Sequence, residues 1–238
     1  MLGFYDYTVV LTYMSFASAV TGIFCASAMH LRWAVFCLAL SGLCDMFDGK
    51  VARTKKNRTD DEKSFGIQID SLCDMVCFGI LPILICYKLG MNHIYSVVIL
   101  IFYGLAGLIR LAYFNVTEAK RQEESNEARK YYQGLPITSM AIVLPVYFVT
   151  SPLIRNMQVK MIILHILVAA VGFLFITNFK LRKPSPMEIF LLVGMVALAV
   201  VVILFVWEGW IHFLRSYILG IWKRGLKTAS VIAGGYFL

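Results

Sequence analysis

Hydrophobic and polar positions divide the chain into long apolar runs separated by short charged connections. Runs of about the length a helix needs to cross a bilayer lie at 7–28, 31–49, 66–88, 94–114, 135–154, 158–178 and 187–207. Beyond Trp207 two readings stay open. Residues 209–222 form either an interfacial amphipathic helix or part of an eighth span running toward the C-terminus. The expected fold is an all-α polytopic membrane protein. The first run ends at Ala26-Ser27-Ala28, which looks like a signal-peptidase site, but no Lys or Arg precedes it. A secretory signal has a positively charged start, so the first helix is expected to stay in the mature protein.

Composition agrees with the pattern. The 238 residues are 60% hydrophobic and 15% charged, with mean hydropathy +0.76, which excludes an ordinary soluble globule. The net charge of +8 is unevenly placed. Arg53, Lys55, Lys56, Arg58 and Lys63 follow the second run, Lys120, Arg121, Arg129 and Lys130 the fourth, and Lys180, Arg182 and Lys183 the sixth. The opposite connections hold Arg32, Lys88, Arg155 and Lys160. The basic side of a multi-pass protein faces the cytoplasm, so the N-terminus is expected there. The charge reads as topology plus attraction to anionic lipid, with no sign of nucleic acid as a partner. Cys25, Cys37, Cys44, Cys73, Cys77 and Cys86 all lie in apolar runs without a CxxC pair. They read as small buried residues, not as a disulfide framework.

Four aspartates change the picture. Asp45 and Asp48 close the second run in SGLCDMFDGKVAR, and Asp70 and Asp74 lie near the start of the third in SFGIQIDSLCDMVCFG. Carboxylates at the edge of hydrocarbon are costly and mark function. At contact distance each like-charged pair costs roughly 4 kcal/mol at an effective dielectric of about 20. One or two divalent cations would turn that repulsion into binding. Helical spacing puts Asp45, Gly49 and Arg53 on one stripe, with Asp48 and Ala52 beside it. Gly66, Asp70 and Asp74 repeat the four-residue step on the next helix. An oxygen-only ligand set open to the cytoplasm suits Mg²⁺ or Mn²⁺ that keeps positions free for substrate phosphates. Arg53 is placed to neutralise a phosphate or to anchor a carboxylate. A single Asp at a helix end is usually a cap or a solvated residue, and Asp60, Asp61 and Glu62 are read that way, as a solvated loop. Glu123, Glu124 and Glu127 are assigned to a polar, helical cytoplasmic connection.

These residues resemble the signature of the CDP-alcohol phosphatidyltransferases, D-x-x-D-G-x-x-A-R followed by G-x-x-x-D-x-x-x-D. Here it reads Asp45-x-x-Asp48-Gly49-x-x-Ala52-Arg53, then Gly66-x-x-x-Asp70-x-x-x-Asp74. The spacer, Thr54 to Phe65, has twelve residues against the family's usual eight or so, an extension that an extended loop accommodates cheaply. The resemblance implies a six-helix catalytic core, here 1–180, with an additional C-terminal segment at 181–238. It implies a homodimer and a cation-bound CDP-lipid at the cytoplasmic face of the cell membrane. It also implies that Asp45, Asp48 and Asp70 bind metal, that Asp74 is a metal ligand or general base, and that Gly49, Ala52, Arg53 and Gly66 border the nucleotide and diphosphate.

FGIQIDSLCDMVCFGILP, RLAYFN at 110–115 and GLPIT at 134–138 resemble the serine-using prokaryotic branch of the family. The implied reaction moves the phosphatidyl group of CDP-diacylglycerol to L-serine with release of CMP. Serine needs a cation or amide for its carboxylate, and Arg110 with Asn115 are the candidates. Arg110 reads equally as a side chain that snorkels to lipid phosphates or pairs with a signature aspartate. Direct transfer and a covalent intermediate both stay open. Glycerol phosphate or inositol phosphate is the alternative acceptor within the family. A cation transporter is the alternative outside it, but its acids would be spread through the membrane depth, whereas these cluster at one face. His30, His93, His165 and His212 are scattered and receive no chemistry.

Overall fold

A computed structural model of the protein describes residues 7–52, 54–55, 59–124 and 131–182, together with Gly3, Gly194, Leu198 and Val201. The expected spans at 187–207 and 209–222, and most of the segment assigned to 181–238, lie outside the described residues. Each of the first six apolar runs is helical. A short 3₁₀ turn at Tyr7–Val9 leads into α1, Val10–Ser27, and α2 follows at Leu31–Ala52. Next come α3, Asp60–Asp74, a π-helical turn at Met75–Ile80, and α4, Leu81–Leu89, which run on as a single rod. The remaining helices are α5, Ile94–Glu124, α6, Met140–Thr150, and α7, Met157–Ile176.

Among the described residues, four helical segments are long and apolar enough to cross a membrane: Tyr7–Ser27, Asp60–Leu89, Ile94–Lys120 and Met157–Ile176. The 22-residue α2 is long enough too, but ends in the charges Asp45, Asp48 and Lys50. The segment Ile137–Leu153 is shorter. Ile94, Val98, Ile101, Leu105 and Leu108 of α5 are all exposed. In water that stripe would be a sizeable apolar patch; in hydrocarbon it is what a spanning helix presents. The chain is a multi-pass, essentially all-α membrane protein.

Packing concentrates where α1 runs along α2 and α5 along α7, where α4 lies against both α1 and α2, and where α6 lies against α2. Leu38, Phe78, Leu81, Tyr103, Leu144 and Leu164 are fully buried between them. α6 meets α2 so closely that a Cβ on Gly42 would sit 2.5 Å from that of Ala141.

Three local features depart from the sequence reading. Asp60, Asp61 and Glu62 are not a loop but the first turn of α3. Thr59 caps that turn by accepting from the Glu62 N–H at 3.2 Å, and the Glu62 carboxylate accepts from the Thr59 N–H at 2.9 Å. This reciprocal box, with acids at the positive end of the helix, favours the extra turns. The twelve-residue spacer is therefore half helix. The second departure is the π turn. Pro82 has no N–H and crowds the carbonyl four residues back, which belongs to Phe78. The chain widens there, with the Leu81 N–H reaching Val76 O, and the Tyr103 hydroxyl of α5 donates to the Phe78 carbonyl.

The third is a small antiparallel ribbon of β1, Tyr131–Gln133, and β2, Lys180–Arg182. It ties the connection after α5 to the end of α7. Gly134 follows β1 with φ +72°, and a Cβ there would lie 3.1 Å from the Thr177 carbonyl oxygen and 3.2 Å from that of Phe175. Its N–H donates to Phe179 O at 2.8 Å, and the Leu135 N–H to Leu174 O at 3.2 Å. Only glycine suits both the left-handed backbone and the close approach. The first residue of GLPIT is thus explained by the backbone.

Candidate active site

The acids converge where α2 ends and α3 begins. One carboxylate oxygen from each of Asp45, Asp70 and Asp74 lies within 4.8 Å of the other two. The spacing that put Asp45 on one stripe and Asp70 with Asp74 on another brings the two stripes face to face. Asp48 is the most buried of the four, 9% exposed, and lies beside Asp70 at the edge of this group. Thr12 of α1 donates its hydroxyl to Asp48 Oδ2 at 3.2 Å. Asp70 Oδ1 is buried without a hydrogen-bond partner among the described residues. A buried carboxylate oxygen left in that state costs desolvation energy that a hydrogen bond or an ion must offset.

The donor set therefore fits a hard divalent cation. It is all oxygen, it comes from two helices, and it contains a buried carboxylate oxygen without a donor among the described residues. Cys73 and Cys77 lie on the same rod, but Cys77 Sγ is 3.5 Å from the Ser15 hydroxyl, and neither cysteine belongs to the acidic group.

The smaller signature residues occupy the surroundings. Gly49 is exposed, and no described atom lies within 4 Å of the position a Cβ would take. Its lack of a side chain is thus not required by helix packing. Ala52 is half-buried at the last residue of α2, and Gly66 half-buried one turn before Asp70. Arg53 lies outside the described residues, as do Lys56 and Arg58.

Arg110 and Asn115 do not converge. Five residues apart on α5, they project about 140° from one another around the helix. Arg110 is 7% exposed; its Nε donates to Leu135 O at 3.1 Å and its guanidinium lies over the Phe114 ring at 5.9 Å. RLAYFN thereby grips GLPIT. Asn115 instead faces the acidic helix, accepting from the Ser71 hydroxyl at 2.7 Å and donating to Gln68 Oε1 at 3.4 Å. Ser71 directly follows Asp70, so Asn115 is the nearer of the two to the acids along this network.

A residue that the sequence reading passed over also touches the site. Thr12, Ser15 and Ser18 recur every third position in the first apolar run, a signal for one polar edge on a lipid-buried helix. All three face α2. Ser15 and Ser41 hydroxyls lie 2.7 Å apart, and Ser18 donates to Cys37 O at 2.9 Å.

The CDP-alcohol phosphatidyltransferase family profile matches residues 7–222. The chain belongs to that family. Among its curated relatives is the CDP-diacylglycerol–serine O-phosphatidyltransferase of Saccharomyces cerevisiae, 44% identical over 108 residues, which are 44% of this chain and 38% of the relative. The Helicobacter pylori protein of the same name is 33% identical over 124 residues, 51% of this chain and 48% of the relative. The chain spans less than half the length of these two relatives. With the Methanocaldococcus jannaschii protein of that name it shares 29% identity over 166 residues, 69% of this chain and 70% of the relative. In the family's terms the converged acids are the signature carboxylates, and Thr12 is a contact outside the signature.

Proposed function

We propose that the protein transfers the phosphatidyl group of CDP-diacylglycerol to the hydroxyl of L-serine, releasing CMP. The observation that carries this reading is the meeting of Asp45, Asp70 and Asp74, with Asp48 beside them and open space at Gly49. Serine is supported by the names of the relatives and by the contact between RLAYFN and GLPIT through Arg110 and Leu135.

Asp45, Asp48 and Asp70 would hold a divalent cation, Mg²⁺ or Mn²⁺, with Asp74 as a further ligand or the base. When bound, the cation neutralises the diphosphate and the charge that develops on departing CMP. The chain's own residues do the rest. Asp74 accepts the proton of the serine hydroxyl as the serine oxygen bonds to the phosphatidyl phosphorus. The bond from that phosphorus to the CMP oxygen breaks, and CMP keeps the electron pair. A neutral hydroxyl is a weak nucleophile, so holding it in line with the diphosphate supplies much of the rate. Gly49, Ala52, Arg53 and Gly66 are assigned to the nucleotide and diphosphate. Asn115 is assigned to the acceptor directly, and Arg110 to the acceptor or to the 134–138 segment it grips.

The site is assigned to the cytoplasmic side of the cell membrane. The support is the distribution of basic residues, which crowd the connections after the second, fourth and sixth apolar runs, the side that the positive-inside rule assigns to the cytoplasm. The working unit is assigned as a homodimer, which crosslinking in native membranes tests by yielding a species of twice the monomer mass.

The deciding experiment supplies purified protein with CDP-diacylglycerol and, separately, labelled serine, glycerol phosphate or inositol phosphate, followed by lipid analysis. Label from serine alone should enter lipid. Conversion of a phosphorylated acceptor but not serine overturns the serine assignment and leaves the reaction class standing.

A further inference from the structure

We propose that Thr12 is a positioning residue for the acidic site, fixing Asp48 so that one carboxylate oxygen is engaged and the other is turned toward Asp70 and the cation. The proposal rests on the reading of the four aspartates as a cation site. Thr12 lies on α1, the one helix of the α1–α3 group that contributes no acid. It is 6% exposed and its hydroxyl reaches Asp48 Oδ2 at 3.2 Å.

The direction of that hydroxyl is informative. A threonine inside a helix ordinarily satisfies itself on the carbonyl four residues back. Thr21, Thr150 and Thr177 do so here, donating to Ala17, Val146 and Phe173 at 2.7–2.8 Å. Thr12 turns across the helix interface instead.

The interface is built to hold it there. One turn deeper, Ser15 donates to the Ser41 carbonyl at 3.1 Å while Ser41 donates to that of Ser15 at 3.1 Å. A turn further, Ser18 bonds to Cys37 O at 2.9 Å. Three successive rungs, at 12, 15 and 18 on α1 against 48, 41 and 37 on α2, fix how far one helix can slide along the other. An aspartate has two free side-chain torsions, and a buried one needs a donor to choose among its rotamers. Donors that orient a metal-binding carboxylate typically carry about 10–100-fold in metal affinity. Thr12 is the described side chain that supplies such a donor to Asp48 from outside the acidic group.

The test measures Mn²⁺ binding to the purified full chain in lipid nanodiscs, from the electron paramagnetic resonance signal of free Mn²⁺. Thr12→Val keeps the shape and removes the hydroxyl; it should weaken Mn²⁺ binding by about 10–100-fold, with a modest fall in thermal midpoint measured without cation, since a buried acceptor loses its donor. Thr12→Ser keeps the hydroxyl and should bind close to the native level. In CMP-release assays the Thr12→Val protein should need correspondingly more Mn²⁺, while its apparent KM for serine stays unchanged. Native-level binding in Thr12→Val overturns the proposal, as does a Thr12→Ser protein that is as weak as Thr12→Val, since that pattern reports packing. If Thr12→Val does not fold, Thr12→Ala takes its place under the same criteria. Asp48→Asn separates the two levels of the argument. Loss of binding there with none in Thr12→Val removes the role of Thr12 alone, whereas native binding in Asp48→Asn removes the cation-site reading and this proposal together.

Discussion

Asp48 and Gly49 are neighbours in the signature with different physical standing. Asp48 is a buried carboxylate among like charges, so Asp48→Asn removes charge while keeping an oxygen for the Thr12 hydroxyl. Turnover should be lost together with divalent-cation binding, because a charged oxygen ligand is replaced by a neutral amide. The thermal midpoint without cation should stay the same or rise, because repulsion is relieved. Near-native turnover, or a large drop in midpoint, contradicts that role. Gly49 has open space where a side chain would be. Gly49→Ala should therefore fold well, gaining up to about 1 kcal/mol of helix propensity, and still lose activity if the nucleotide occupies that space. Unchanged CMP release in Gly49→Ala would assign Gly49 no contact with substrate. The meeting of Asp45 with Asp70 and Asp74 was legible because their spacing matches helical geometry. For Arg110 and Asn115 the five-residue spacing already sets the side chains about 140° apart; what the motif could not tell was that one face meets Leu135 and the other Ser71 and Gln68.

The elements show where periodicity stops being informative. Apolar runs located six helices, because a spanning helix must be apolar over its whole length. They could not mark the true start of α3, which the polar Thr59–Glu62 box sets, although the T-x-x-E pattern was there to be read. Nor could they reveal the ribbon, whose three-residue strands are stabilised by backbone bonds between segments far apart in the chain. The π turn follows from Pro82, but its consequence depends on a tyrosine 21 residues later. Tyr103→Phe removes the donor to the Phe78 carbonyl and should cost about 1–3 kcal/mol, the penalty for a buried acceptor left unpaired. Activity should fall too, because Asp74 immediately precedes the turn. In a Pro82→Ala background residue 82 regains an N–H for that carbonyl, so the same Tyr103→Phe change should cost less. Equal costs in both backgrounds, measured by thermal unfolding, would break the link between Pro82, the π turn and Tyr103.

At the scale of the whole molecule, the bundle brings Asp45, Asp70 and Asp74 together with Asp48 beside them, and a row of hydroxyls leads away from them along the α1–α2 interface. Single cysteines placed in 54–64 and 118–133, in a protein lacking its native cysteines, should resist an impermeant thiol reagent in intact cells and react once the membrane is opened. Labelling from outside would invert the topology and separate the acids from substrates supplied by the cytoplasm. The central claim is that these acids perform a cation-dependent phosphatidyl transfer, and CMP release from CDP-diacylglycerol and serine tests it most directly when followed against free divalent cation. Release should vanish in excess chelator, return as Mg²⁺ or Mn²⁺ is added back, and match the serine incorporated into lipid mole for mole. Full release in excess chelator would contradict it.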